Sequence, residues 1–215
     1  MGQIKIYKIK KTTSTNDVAK KIAKNESTDF VVLAEEQTSG RGRKDRSWKS
    51  PPGNLYFSLC IEKGPILSLK TSVAVAMTLE KLEITPGVKW PNDILVDEKK
   101  ICGILTEIIE GRGIVGIGLN VNSAPIEDST CVSELTEAEH SPKSLMEDIV
   151  FNFYEIEDVM VQYIHYSSTI GEKVRIKTAE EEFEGIVKDI DEKGRLVLQD
   201  GRRFLSGDVI HLRKG

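Results

Sequence analysis

Phe30-Val31-Val32-Leu33-Ala34-Glu35-Glu36-Gln37-Thr38-Ser39-Gly40-Arg41-Gly42-Arg43-Lys44-Asp45-Arg46-Ser47-Trp48 carries the chain from an apolar run into a loop dense in glycine and positive charge. Consecutive apolar residues from Phe30 to Ala34, bounded by polar ones, are the pattern of a strand buried on both faces. After the loop, closed by Pro51-Pro52-Gly53, Asn54 to Glu62 alternates, with Leu55, Phe57, Leu59 and Ile61 on one face, and is expected to be the next strand. Glycines let a backbone approach a ligand and free amide N–H groups to converge on an anion. Arginines add permanently charged forks that fit carboxylate or phosphate. Taken alone, the loop has two readings: a solvated basic loop, or a site for an acidic small molecule.

The whole chain narrows the choice. Its 215 residues suffice for one sizeable core plus a small second domain, and 39% apolar with 30% charged residues is a globular balance. A net charge of -4 argues against a general nucleic-acid binder, so the basic loop is a local feature. No apolar run approaches the roughly 20 residues that span a bilayer, and Met1-Gly2-Gln3-Ile4-Lys5 has no signal-peptide core. Neither membrane nor nucleic acid is expected as a partner. Cys60, Cys102 and Cys131 are odd in number and far apart, which reads as free thiols in a reducing cytoplasm. His140, His165 and His211 are scattered, and the spacing suggests neither a metal cluster nor a Ser-His-Asp arrangement.

Ile4 to Ile9 alternates as a first strand, and Thr12-Thr13-Ser14-Thr15-Asn16 precedes Val18, Ala19, Ile22 and Ala23 at helical spacing. Those hydroxyl and amide groups either cap the helix or hydrogen-bond a polar ligand. Leu67 to Leu82 reads as an amphipathic helix covering one face of the sheet. Lys89-Trp90-Pro91-Asn92-Asp93 breaks one strand before a hairpin, Ile94 to Val96 and Ile101 to Glu107, with Asp97-Glu98-Lys99 at its turn. Asp93 either makes an Asx-turn or orients a metal-bound phosphate or a basic side chain. Lys100 either snorkels to solvent or sits in a cleft as a point charge for an oxyanion. Gly116-Ile117-Gly118-Leu119-Asn120-Val121-Asn122 is a glycine-spaced strand, which suggests close approach of a ligand or another backbone; Asn120 is a turn residue or a ligand contact. Ser129 to Leu135 is ambiguous. Ser141-Pro142 opens a helix whose apolar stripe, Leu145, Ile149, Phe153, Ile156, Met160 and Ile164, runs to about Tyr166. Past Ser167-Ser168-Thr169-Ile170-Gly171 the period switches to two in five short strands: Val174 to Lys177, Phe183 to Ile190, Leu196 to Leu198, Arg202 to Phe204 and Val209 to Leu212. They suggest a small barrel, and hence domains at 1–168 and 169–215.

Together these stretches resemble the biotin–protein ligases. Ser14-Thr15-Asn16, Gln37 ahead of Gly40-Arg41-Gly42-Arg43 with Arg46 and Trp48, Lys89-Trp90-Pro91-Asn92-Asp93 ahead of Lys100-Ile101-Cys102-Gly103, and Gly116 to Asn122 occur in that family's order. The C-terminal Ser206-Gly207-Asp208-Val209 extends the likeness over nearly the whole chain. The resemblance implies an α+β catalytic domain like that of class II aminoacyl-tRNA synthetases, with a mixed sheet and a small C-terminal SH3-like β-barrel. It implies that biotin and MgATP give biotinyl-5′-AMP, and that a lysine of a biotin carboxyl carrier protein then takes the biotin. It further implies a cytoplasmic homodimer, and a ligase without the N-terminal DNA-binding domain of some relatives, since the first strand begins at Ile4.

By the same resemblance, Ser14, Thr15, Asn16 and Gln37 meet biotin, joined by Arg41, Gly42, Arg43, Lys100 and Gly103. Lys100, Arg43 and Arg41 are the catalytic group. Trp48, Arg46, Asn120 and Cys131 face the adenylate, and Asp93 the metal. Two positions depart from the family pattern: Asp45 replaces a frequent glycine, and Thr130-Cys131 replaces a small residue followed by serine. The glycines of the loop lead to the expectation that it orders when ligand binds. The rivals are a lipoate or octanoyl transferase and a non-catalytic biotin sensor; the paired arginine and Lys89 to Asp93 motifs oppose the first, and Lys100 with the additional arginines opposes the second.

Overall fold

In the computed structural model, which describes residues 4–178 and 180–212 apart from the side chain of Asp45, the apolar run is the second strand of a seven-stranded mixed sheet. The readings placed on Met1-Gly2-Gln3 and on the Asp45 side chain lie outside the described residues. The strands are β1 (Lys5–Thr12), β2 (Phe30–Gln37), β3 (Leu55–Glu62), β4 (Gly87–Lys89), β5 (Asp93–Val96), β6 (Lys99–Ile109) and β7 (Arg112–Leu119), in the order β1-β2-β3-β7-β6-β5-β4. β1 and β2 are parallel because helix α1 (Thr15–Ala23) crosses between them, and every other ladder is antiparallel. β2 is buried on both faces as expected. Val31 enters the main core, while Phe30 and Val32 join Ala19, Cys60 and Ile114 in a smaller one under α1.

Helix α2 (Leu67–Glu80) departs from its expected amphipathic character. Leu69, Ser72, Val73, Ala74, Val75, Ala76 and Leu79 are all buried, because the sheet lies on one side and helices α4 (Pro142–Glu155) and α5 (Val159–Tyr166) on the other. The stripe read as one helix to Tyr166 is two helices. Ile156 is extended, and the Asp158 carboxylate accepts from the amides of Met160 (3.0 Å) and Val161 (3.1 Å) to start the second. Apolar spacing continued across the break and hid that cap. The ambiguous Ser129 to Leu135 contains a short helix, α3 (Val132–Thr136).

The C-terminal strands are β8 (Lys173–Lys177), β9 (Glu182–Ile190), β10 (Leu196–Leu198), β11 (Arg203–Phe204) and β12 (Asp208–His211), a five-stranded antiparallel sheet ordered β11-β10-β9-β8-β12. β9 pairs with β8 through Glu182–Ile186 and with β10 through Val187–Ile190, so the sheet coils on itself in the SH3-like manner expected. Trp90 joins it to the main sheet. Its indole donates to Gly194 O (2.9 Å) and its amide to Thr169 Oγ1 (3.0 Å), with the ring fully buried.

Candidate active site

The outer face of β6 and β7 is made flat by glycine. Gly103 and Gly118 are cross-strand partners, and Gly116 lies two residues from Gly118. A Cβ on Gly116 would collide with Asn16 Oδ1, and one on Gly118 with the Trp48 indole; one on Gly103 would come within 3.0 Å of Trp48 Cζ3 and 3.3 Å of Lys100 Cε. The glycine spacing thus admits two side chains from distant elements onto the sheet, rather than a second backbone. They border a cavity of about 220 Å³ that also meets Ser14, Gln37, Arg41, Arg43 and Asp93.

One end of this cavity is lined by neutral, densely bonded groups. Ser14 occupies the N-cap of α1, but its hydroxyl makes no capping bond. The Thr15 amide is satisfied by Gln37 Oε1 at 2.9 Å, which also lies 3.2 Å from Thr15 Oγ1. Gln37 Nε2 donates to Ser50 Oγ at 3.0 Å, and Ser58 Oγ lies 2.7 Å from Thr15 Oγ1 and 2.6 Å from Asn16 Oδ1. Asn16 Nδ2 donates to Glu107 Oε2 at 2.8 Å. Burial alone would raise the Glu107 carboxyl, but Lys20 Nζ at 2.6 Å and Asn16 outweigh it and hold it below the usual carboxylate range. The polar run before α1 therefore serves the cavity wall instead of the helix start.

The other end is ionic, and a bulge creates it. Ile94 pairs with Cys102 but Leu95 with Lys100, so Ile101 is an extra residue on β6. Ile101 and Cys102 both enter the core, and Lys100 turns onto the face of Gly103. Its Nζ lies 2.7 Å from Asp93 Oδ1 and 5.3 Å from the centre of the Trp48 ring. Lys100 is held in the cleft and does not snorkel, and Asp93 orients a basic side chain.

The loop brings the remaining cations. Arg41 grips Asp17 of α1 with two bonds of 2.7 Å, which lower the Asp17 carboxyl and raise the guanidinium. Arg46 reaches Asp208 Oδ1 at 2.5 Å and Lys44 reaches Asp208 Oδ2 at 3.1 Å. Arg43 differs: its guanidinium donates to the neutral oxygens of Asn92 (Oδ1, 2.9 Å) and Gly207 (O, 3.3 Å). Burial pulls its pKa down, although an arginine stays protonated. Among the described residues Arg43 has no carboxylate in ion-pair contact, so it keeps charge to offer an anion.

Asn120 and Trp48 border a second cavity that shares Lys100 and Ile126 with the first. Asn120 Oδ1 and Trp48 Nε1 are buried without a protein partner, one acceptor and one donor, which suits the edge of a nucleobase. Cys131 is buried but lines neither cavity; its backbone neighbour Thr130 accepts from Asn120 Nδ2 at 3.1 Å. Among the described residues no group of three or more His, Cys, Asp or Glu side chains is placed to hold a metal. Asp93 is the carboxylate lining the first cavity, beside four cations. That suits magnesium arriving on nucleotide phosphates, which needs only one or two protein carboxylates.

The structure thus gathers Ser14, Thr15, Asn16, Gln37, Arg41, Gly42, Arg43, Arg46, Trp48, Asp93, Lys100 and Gly103 around one cavity, places Asn120 at the adjoining one, and leaves Cys131 aside. Sequence reasoning gave no role to Asp17, Ser58, Asn92, Glu107 or Asp208. Asn92 and Asp208 stood inside stretches that carry the family resemblance, without a role of their own. Ser58 and Glu107 carried a readable signal as polar residues within apolar strands, while Asp17 carried none.

A family model described as "Biotin/lipoate A/B protein ligase family" matches residues 7–122, and one described as "Biotin protein ligase C terminal domain" matches residues 169–212. The chain is 33% identical to a biotin–[acetyl-CoA-carboxylase] ligase of Mycobacterium tuberculosis, over 95% of this chain and 88% of that one. Among solved structures it is similar to the biotin protein ligase from Aquifex aeolicus in complex with biotin and ATP, with a TM-score of 0.82 and 29% identity over 98% of this chain and 99% of that one. The Leishmania major biotin protein ligase in complex with biotinyl-5-AMP gives a TM-score of 0.73 and 26% identity over 98% and 99%.

Proposed function

Because the chain belongs to the biotin/lipoate A/B protein ligase family, we infer that it is a biotin–protein ligase, which activates biotin with MgATP to biotinyl-5′-AMP and transfers biotin to a carrier-protein lysine. The observation that supports this reading best is the division of one cavity into a neutral, hydrogen-bonded end and a cationic end. Biotin has the same division, a ureido ring of fixed donors and acceptor at one end and a carboxylate at the other.

In this reading Ser14, Thr15, Asn16 and Gln37 take the head group. Lys100, Arg43 and Arg41 draw the biotin carboxylate to the α-phosphate of ATP. A carboxylate oxygen bonds to that phosphorus, and the bond to the bridging oxygen breaks with release of pyrophosphate. Concentrated positive charge, already in place, offsets the repulsion of two anions and the charge that builds on the phosphoryl oxygens. Trp48 and Asn120, with Arg46, take the adenylate, and Asp93 would hold magnesium, which would supply positive charge to the phosphate oxygens. The carrier lysine then attacks the mixed anhydride as a neutral amine, forms the amide, loses a proton and releases AMP.

Residues 1–168 form the catalytic unit in this reading, and residues 169–215 a second one. The acceptor is a biotin carboxyl carrier protein or domain of a biotin-dependent carboxylase. Three free, buried thiols support a reducing, cytoplasmic setting. Homodimerisation rests on family resemblance alone, and sedimentation equilibrium tests it. The activity is tested with purified protein, MgATP, labelled biotin and an apo carrier domain. ATP-dependent labelling of the carrier is expected; its absence sinks the ligase reading, and labelling by lipoate instead selects the neighbouring activity in the fold.

A further inference from the structure

The loop from Gly40 to Trp48 is a tight excursion closed on itself by backbone bonds. Gly42 N donates to Arg46 O at 2.6 Å, Trp48 N to Gly40 O at 2.8 Å, and Arg41 and Ser47 form a bridge. Besides the neutral contacts of Arg43 with Asn92 and Gly207, ionic ties hold this piece down at two places, and they lead to different parts of the molecule. Arg41 ties its first end to Asp17 on α1. Lys44 and Arg46 tie its far end to Asp208, across the boundary between the main sheet and the C-terminal one.

We propose that Asp208 is a positioning residue for the reaction: a carboxylate on the C-terminal unit that latches the loop over the activated acid by pairing with Lys44 and Arg46. The inference rests on the ligase reading of the cavity. Both oxygens of Asp208 are used, one per cation. The latch point itself is firmly seated. Asp208 pairs with Lys177 in the ladder of β12 and β8, and Gly207 fits so closely that an added Cβ would lie 2.8 Å from Ile176 Cγ2. The neighbouring Gly207 carbonyl accepts from Arg43 at 3.3 Å, so the same corner places the loop arginine that, among the described residues, has no carboxylate in ion-pair contact. Lys44 has φ +53°, a left-handed conformation that costs energy for a side-chain residue and that its pair with Asp208 offsets. From Arg46, Ser47 carries the constraint to Trp48, whose indole rests on Gly118.

A latch of this kind opens readily. The side chains of Asp208, Lys44 and Arg46 are 32%, 43% and 62% exposed, so water and salt screen the pairs. It holds an intermediate between half-reactions yet yields when the carrier lysine must enter. Asp208 acts through the loop and touches neither the acid nor the phosphate in this scheme.

The test uses the full chain in four forms: wild type, Asp208→Asn, Lys44→Gln and the double variant. Two quantities are read, amide hydrogen exchange over residues 41–48 in free protein and the rate at which biotinyl-5′-AMP is lost. Asp208→Asn is expected to speed both about three- to tenfold. The double variant should be no faster than Asp208→Asn alone. Raising salt from about 50 to about 500 mM should speed loss from wild type and leave Asp208→Asn nearly flat. Wild-type exchange and retention in Asp208→Asn, or effects of the two substitutions that simply add, would overturn the latch. If Asp208→Asn folds poorly, Lys44→Gln, on the exposed loop, reads the same latch from its other side. A wild type that forms no adenylate would defeat the ligase reading, while the exchange comparison would still decide the latch.

Discussion

The two ends of the cavity are built by opposite means. At the neutral end Thr15, Asn16, Gln37 and Ser58 stand on regular elements and satisfy one another within 2.6–3.2 Å, before any ligand is considered. At the ionic end Lys100 depends on a bulge, and Arg41, Arg43 and Arg46 on a loop whose ties reach α1, a hairpin and the C-terminal sheet. Neutral hydrogen bonds on rigid elements discriminate, since a wrong ligand leaves buried groups unpartnered. Cations on a loop stabilise charge that appears only as the reaction proceeds, and can withdraw afterwards. The contrast assigns specificity to one end and chemistry to the other.

The largest expected effect comes from the ionic end. Lys100→Ala should slow adenylate formation about 10²- to 10³-fold while biotin binding changes little, read by single-turnover kinetics beside equilibrium binding. A near wild-type rate would make Lys100 an ordinary surface lysine. The neutral end should fail differently. Gly116→Val drives a side chain into Asn16, and overpacking of about 1–3 kcal/mol corresponds to about five- to 150-fold weaker biotin affinity. Unaltered affinity would show that Asn16 does not hold the head group. Next, Arg43→Gly should release biotinyl-5′-AMP about tenfold faster, because the removed charge is the one with no internal carboxylate. An unchanged dissociation rate would remove Arg43 from that role.

The smallest effect links both ends through Asp17 and Glu107. Arg41 lowers the Asp17 carboxyl, and Lys20 with Asn16 keeps Glu107 low against its burial. A carboxyl depressed in the folded state adds stability that is present above its unfolded pKa and is lost as pH falls through the folded one. Stability should therefore decline below about pH 4, by about 0.5 kcal/mol for the Asp17 pair after solvent screening. Urea unfolding at neutral and acid pH measures the slope, and Asp17→Asn should flatten it. Equal slopes in the two proteins would mean the pair is not formed.

What the sequence could reveal follows the same division. β2 was legible because burial on both faces leaves an unbroken apolar run, and the C-terminal strands because the apolar period switches to two there. Side chains supplied by contiguous motifs, such as Ser14 to Asn16 and Gly40 to Trp48, were legible as groups. Their partners were not. Asp17 and Asp208 are ordinary surface acids until the fold sets them against Arg41, Lys44 and Arg46. The turn of Lys100 onto the site face depends on one extra residue in β6, which no period-two pattern displays. Asp158 was hidden for the opposite reason, because apolar spacing ran straight through the break it caps.

The account is tested most directly by pyrophosphate release on mixing the protein with biotin and MgATP in the absence of any carrier. It predicts a burst of about one pyrophosphate per site, followed by slow release as the retained adenylate escapes. Lipoate in place of biotin should give no burst. A wild-type protein that shows no burst with biotin, or an equal burst with lipoate, would contradict the assignment of chemistry to one end of the cavity and selection to the other.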